Sequence, residues 1–202
     1  MAFKNYTLAE FSEELSSEKA TPGGGGVAAY STALSSALLL MVINLTESND
    51  ELNSFVVDLK KDIKDALHLI DQDCDSFNKV MEAYKLPKKT EKERKKRKKA
   101  IEEGLKEATL TPFDTMKVAF KLLQISLKVA QRGNKNALSD AGVAGFMAYA
   151  AVKGAYFNVQ INTTSITDEE FKEPINREAE EMMEESNVMA EQLEKYLKEE
   201  IC

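Results

Sequence analysis

Apolar residues along this 202-residue chain recur at spacings of three and four, and nowhere in sustained alternation. The clearest stretch is Glu51–Lys85, where Leu52, Phe55, Val56, Leu59, Ile63, Leu67, Ile70, Cys74, Phe77, Met81 and Tyr84 form one stripe. That spacing keeps side chains on one side of a 3.6-residue helix, so a single long amphipathic helix is predicted there. Upstream, Thr7 with Glu10 has the pattern of a reciprocal N-terminal cap, predicting a short helix through Phe11 and Leu15 that stops before Pro22. Downstream, Pro87 closes the long helix, and another resumes through Ile101 and Leu105. Thr111-Pro112 has the look of a fresh start, Thr as cap and Pro at the first helical position. Val118, Phe120, Leu122, Leu123, Ile125, Leu127 and Val129 then carry that helix to Gly133. Ser139-Asp140 opens the next element. Thr167 with Glu170 opens the last, whose stripe is Phe171, Ile175, Met182, Met189, Leu193 and Tyr196.

Two segments depart from amphipathicity. Ala20–Thr46 holds no charged residue, and Ala141–Thr167 holds only Lys153. Within the first, Val27–Leu45 is too long and too rich in Ala and Leu for a strand and reads as a helix. Ser31, Thr32, Ser35, Ser36 and Asn44, with no flanking basic anchors, argue for a buried bundle helix over a membrane span. The second carries Gly142, Gly145 and Gly154, small residues that let it pack closely against the first. The prediction is an all-α protein, a single domain over residues 1–202, built as an up-and-down helical bundle with two nearly uncharged central helices. Pro22–Gly26 reads as a flexible loop leading into the first of them.

Charge and composition narrow the chemistry. The formal charge is −7, but Asp168–Cys202 carries thirteen acids against four bases, so the acidity belongs to one terminal element. Lys88–Lys99 holds nine basic and two acidic residues without aromatics, predicting a solvated, mobile face; nucleic-acid binding would want a broader basic surface. One histidine and two cysteines all but exclude His/Cys metal sites and disulfide scaffolds. His68 falls on the polar side of its helix. The start MAFKNYTLAE has no apolar leader and the cysteines lie far apart, which predicts free thiols at Cys74 and Cys202 in a reducing cytoplasm.

Oxygen and nitrogen side chains must therefore do any chemistry. In Asp71-Gln-Asp73-Cys-Asp75, helical geometry of about 100° per residue turns Asp73 towards the apolar stripe, about 60° from Ile70, while Asp71 and Asp75 point away. A carboxylate on an apolar face is a proton-transfer candidate if desolvation raises its pKa, or a structural acid pairing with a neighbouring helix. Asn158 and Asn162 lie four apart on one face, and Asn44 interrupts the other central helix; such amides read a heteroaromatic ring edge or bond helix to helix. Tyr156 has the same choice between stacking and core packing. Pro22–Gly26 lacks a P-loop ending and follows no strand, leaving an anion site at a helix start or a place of close chain approach.

The ordered set PGGGG-VAAYSTALSSALLLMVINLT, DQDCDSFNKVMEAYKLPK, ATLTPF and GNKNALSDAGVAGFMAYAAVKGAYFNVQINTTSITD resembles the cyclodeaminase/cyclohydrolase family. That family comprises the C-terminal half of formiminotransferase-cyclodeaminase and its stand-alone bacterial relatives. One departure is visible: the family loop usually reads Pro-Gly-Gly-Gly-Ser, and residue 26 here is Gly.

The resemblance implies an all-helical homodimer acting on one-carbon units of tetrahydrofolate, with no metal and no cofactor beyond that substrate, and with neither nucleic acid nor membrane as partner. The middle acid of the family's Asp-x-Asp-x-[Asp/Glu]-x-Phe motif corresponds to Asp73, the residue that helical geometry turns inward. The implied reaction is cyclodeamination of 5-formiminotetrahydrofolate to 5,10-methenyltetrahydrofolate and ammonia, with Asp73 moving protons. On this resemblance Pro22, Gly23, Gly24 and Gly25 of the loop, with Asn158 and Asn162, line the pterin pocket, and Lys or Arg side chains receive a glutamate or polyglutamate tail. The rival within the family is methenyltetrahydrofolate cyclohydrolase; outside catalysis, it is a folate-binding subunit.

Overall fold

The computed structural model describes residues 2–201, and all regular elements among them are helical. The α-helices are α1 (Leu8–Leu15), α2 (Gly24–Asn44), the one-turn α3 (Asp50–Asn53), α4 (Val56–Lys85), α5 (Glu91–Arg132), α6 (Leu138–Thr163) and α7 (Glu169–Ile201), with short 3-10 turns at Phe3–Asn5 and Lys135–Ala137. Directions follow from the ends that meet. Asn134, just past α5, donates from Nδ2 to the Leu45 carbonyl at the end of α2 at 2.7 Å, and Lys135 bonds Glu200 near the end of α7 at 2.8 Å. So α2, α5 and α7 run one way and α4 and α6 the other, the up-and-down order expected of short connections.

The two nearly uncharged helices sit at the centre. α2 is flanked by α4 and α6, α6 by α2 and α7, and α5 lies behind all four. Small residues let α2 and α6 approach: Ala28, Ala29, Ala144, Ala148, Ala151 and Ala155 are buried, and the Ser35 hydroxyl crosses to the Ala144 carbonyl at 2.8 Å. Leu39, Val42, Leu59, Leu122, Leu123 and Leu193 fill the core towards the Gly133 end. α2 is long and apolar enough to cross a membrane by length and composition, yet much of it is packed inside the bundle.

Several local expectations give way to tertiary context. Gly24–Gly26 is not a loop but the first turn of α2, with extended Gly23 as its N-cap residue and a cis Thr21–Pro22 bond before it. Thr111-Pro112 starts no helix: α5 runs unbroken for 42 residues, about 63 Å at 1.5 Å per residue, with Pro112 in its interior. The basic run is ordered helix, opened by a Thr90/Glu93 capping box and laced with Lys95–Glu91 and Lys99–Glu103 pairs. The predicted Glu51–Lys85 helix is divided at Ser54-Phe55, where Phe55 donates three residues back to Leu52 instead of four. α7 is capped by Asp168, which accepts from the Phe171 amide at 3.2 Å, because the Thr167 hydroxyl is engaged by Glu102 at 2.8 Å. The Thr7/Glu10 box is present as predicted. Cys74 is a buried free thiol, and Cys202 lies outside the described residues.

Candidate active site

One end of the bundle brings together the start of α2, the second half of α4, the middle of α5 and the end of α6. Between them lies a cleft of about 360 Å³, within the range of small-molecule sites. Gly23, Gly24, Gly25, Asp73, Asn158 and Asn162, drawn from three separated stretches of sequence, all line it. Pro22 does not; it is buried behind the wall, its ring facing Gly26. Asn44 is exposed at the far end of α2, and Tyr156 packs into the core beside α5 and α7.

Asp73 forms the floor. Its carboxyl lies so close to the α2 backbone that a Cβ built on Gly25 would overlap it, whereas one on Gly24 would meet only Asn158 Nδ2 at 3.7 Å. The close approach explains the glycine at 25. Burial pushes the Asp73 pKa up to about 6, against the opposing pull of the Gly26 backbone N–H that donates to it. The first turn of a helix carries free amides, and here a carboxyl from a neighbouring helix meets one of them. A residue at 26 would point its side chain towards Ile70 and Pro22, so the serine usual in the family would not face the cleft.

The neighbouring acids have other tasks. Asp75 is exposed. Asp71 does not point to solvent as expected; it accepts from the Phe3 amide at 2.6 Å, with Lys4 at 3.6 Å, and pins the N-terminal segment against α4. Burial, and then the charge of Asp73, push the Cys74 thiol up to about 12, leaving it protonated and unreactive. His68 is exposed. Among the described residues, no three His, Cys, Asp or Glu side chains converge as a metal site.

The asparagines are held, not free. Asn158 Nδ2 donates to the Gly154 carbonyl at 2.7 Å and Asn162 Nδ2 to the Ala108 carbonyl at 2.8 Å. Among the described residues neither amide oxygen has a donor, and neither is sealed from solvent.

Sequence reasoning missed the rest of the wall. Phe77, Met81 and Tyr84 read as core stripe, but they are 37–43% exposed and line the cleft, as do Ser76, Leu105 and Ile161. The signal was present: residues 76, 77, 80, 81 and 84 share the helical face of Asp73. At the cleft's outer edge the Arg97 guanidinium lies 5.4 Å over the Tyr84 ring and donates to the Tyr84 carbonyl at 3.1 and 3.2 Å. Arg97 also lines an adjoining hollow of about 380 Å³ with Lys88, Arg94 and Lys98. The walls of this basic hollow and of the cleft meet at the Arg97–Tyr84 contact.

Among the described residues, fold and cleft define a helical bundle with one carboxyl of raised pKa, about 6, in a cleft of small-molecule size. Comparison with known proteins gives that class its family. A family model described as formiminotransferase-cyclodeaminase matches residues 7–181. The methenyltetrahydrofolate cyclohydrolase of Methylorubrum extorquens is 36% identical over 204 residues, covering 98% of each chain. The formimidoyltransferase-cyclodeaminase of Mus musculus is 36% identical over 191 residues, and this chain spans 35% of its length. The solved structure of formiminotetrahydrofolate cyclodeaminase from Thermotoga maritima matches with a TM-score of 0.79 at 29% identity, over 98% of this chain and 96% of that one. The chain belongs to the formiminotransferase-cyclodeaminase family.

Proposed function

We propose that this chain is an enzyme acting at the N5–N10 one-carbon bridge of tetrahydrofolate, and in the first instance a formiminotetrahydrofolate cyclodeaminase. The observation that carries the proposal is Asp73: a single carboxyl, pushed up to about 6, at the floor of a cleft flanked by two fixed amides. A group with that pKa exchanges protons in both directions near neutral pH.

In this mechanism N10 attacks the formimino carbon carried on N5, forming the N10–C bond. Ionised Asp73 takes the N10 proton and delivers it to the formimino nitrogen. The C–N bond to that nitrogen breaks, ammonia departs, and the amidinium bridge of 5,10-methenyltetrahydrofolate remains. One proton taken up with the formimino nitrogen balances the product's positive charge. The carboxyl and the folate supply all the groups required, with no resident cofactor.

The full-length similarity to the Methylorubrum enzyme favours a second reading, methenyltetrahydrofolate cyclohydrolase. Water would add to the methenyl carbon while Asp73 takes its proton, and the C–N5 bond would open to 10-formyltetrahydrofolate. Net hydrolysis releases one proton.

We place the substrate by the shape of the cleft. The fused ring lies against Asn158 and Asn162, with the reacting carbon above Asp73. The glutamate tail, single or polymeric, passes Tyr84 into the basic hollow of Lys88, Arg94, Arg97 and Lys98. A homodimer through α2 and α6 fits the outward stripes Val27, Leu34, Met41 and Val143, Phe146, Phe157, apolar and exposed at near-heptad spacing. A reducing cytoplasm suits a buried free thiol.

The test is incubation of purified protein separately with 5-formiminotetrahydrofolate and 5,10-methenyltetrahydrofolate, following methenyl absorbance and ammonia. Methenyl formation with ammonia supports the first reading, and hydrolysis above the spontaneous rate supports the second. Tight folate binding with neither activity would make the protein a carrier and refute both.

A further inference from the structure

Pro112 sits where an ordinary α-helical residue would donate its N–H to the carbonyl of Ala108, four positions back. Proline has no N–H, and its ring crowds that carbonyl, so the Ala108 oxygen loses its helical partner. A buried carbonyl left in this way needs another donor. Asn162 of α6 is that donor, with Nδ2 at 2.8 Å from the Ala108 oxygen. Ala108 and Asn162 both line the cleft whose floor is Asp73.

The contact decides which way round the amide sits. A carbonyl only accepts, so the nitrogen of Asn162 must face it; a flipped amide would set oxygen against oxygen. Asn162 Oδ1 is left with no donor among the described residues and with access to solvent. One turn earlier, Asn158 is oriented in the same sense by its bond to the Gly154 carbonyl at 2.7 Å.

We infer that Pro112 is a positioning residue: by surrendering the Ala108 carbonyl to Asn162, it turns Asn162 Oδ1 outward as a hydrogen-bond acceptor beside Asn158 Oδ1, which the Gly154 carbonyl orients. The inference rests on the cleft receiving the pterin ring of folate. A pair of acceptors selects the donor edge of that ring, the 2-amino group and the adjacent ring N–H, over edges that only accept. In the interior of an amphipathic helix a proline otherwise brings only loss, which gives this one a reason to be there.

The experiment compares wild type, Pro112→Ala, Asn162→Ala and the double variant. Pro112→Ala restores an N–H that competes for the Ala108 carbonyl while improving helix propensity. It should melt at or above the wild-type temperature, yet weaken tetrahydrofolate binding by calorimetry about tenfold, the size of one hydrogen bond. KM should rise more than kcat falls. Asn162→Ala should weaken binding to a similar degree, and the double variant should bind no more weakly than Asn162→Ala alone. Losses that multiply in the double variant, or a Pro112→Ala protein that binds as wild type does, overturn the inference. A ligand-free measurement separates it from the folate assignment. The side-chain amide hydrogens of Asn162, followed by NMR, should exchange slowly in wild type and faster in Pro112→Ala. Unchanged exchange refutes the positioning role; a wild type that shows the exchange difference but binds no tetrahydrofolate refutes the folate assignment instead.

Discussion

Replacing Asp73 by Asn removes one ionisable group and keeps its shape, including an oxygen that accepts from Gly26. The carboxyl's pKa is about 6 in the folded protein against 3.8 for the free group, so between those values the folded state binds the proton more tightly than the unfolded chain. Wild-type stability therefore falls as pH rises through that window, and the loss is complete by neutral pH. A rise from 3.8 to about 6 corresponds to about 3 kcal/mol, or about 2 kcal/mol once solvent screening at the open side of the cleft is allowed for. An uncharged amide in the same place carries no such penalty. The Asp73→Asn protein should match wild type within a few tenths of a kcal/mol at pH 4 and exceed it by about 2 kcal/mol at pH 8. In a melt that is a rise of about 4–8 °C for a chain of this size. Urea unfolding at the two pH values, with protein concentration fixed, measures the difference directly. A variant less stable than wild type by the same amount at both pH values would refute the reasoning, because Asp73 would then be a structural cap of α2 and no strained acid.

Other outcomes follow from the same geometry. Gly25→Ala drives a Cβ into the Asp73 carboxyl and should cost about 1–3 kcal/mol with a large loss of turnover, whereas Gly24→Ala, which meets only Asn158, should keep most activity; melts and initial rates on the pair distinguish them. Arg97→Ala, with Lys98→Ala, should raise KM for a pentaglutamate substrate more than for the monoglutamate, and the gap should narrow as salt is raised; equal effects on both would remove the tail from this hollow. For the proposed homodimer, wild type should scatter light as a dimer, and a charge at Val143, which is 51% exposed on the outward stripe of α6, should convert it to monomers with helicity unchanged; a monomeric wild type, or a Val143→Asp protein that stays dimeric, would overturn that interface.

Much of this architecture is legible in the sequence, because helical periodicity and charge-free segments are local properties that the bundle preserves. The inward turn of Asp73 and the shared face of Asn158 and Asn162 follow from 3.6 residues per turn alone. What the sequence concealed depends on partners distant along the chain. Glycines at 24 to 26 are poor helix formers, yet they open α2, and at 25 the carboxyl of Asp73 leaves no room for a side chain. Thr111-Pro112 imitates a helix start because a residue 50 positions on supplies the donor that the proline displaces. Asp71 looks solvent-facing until the amide of Phe3 folds back onto it. Phe77, Met81 and Tyr84 obey the core stripe but border the cleft, because α4 packs on α2 and α5 and the cleft opens between it and α6.

The central claim is that Asp73 transfers the proton in turnover, and the pH dependence of kcat/KM in wild type and Asp73→Asn tests it most directly. In the proposed mechanism ionised Asp73 is the active form, so wild-type kcat/KM should fall as pH drops through about 6, and the variant should lose about 10²–10⁴-fold of the rate together with that inflection. A variant that turns over at the wild-type rate, or that keeps the inflection near pH 6, would contradict the account.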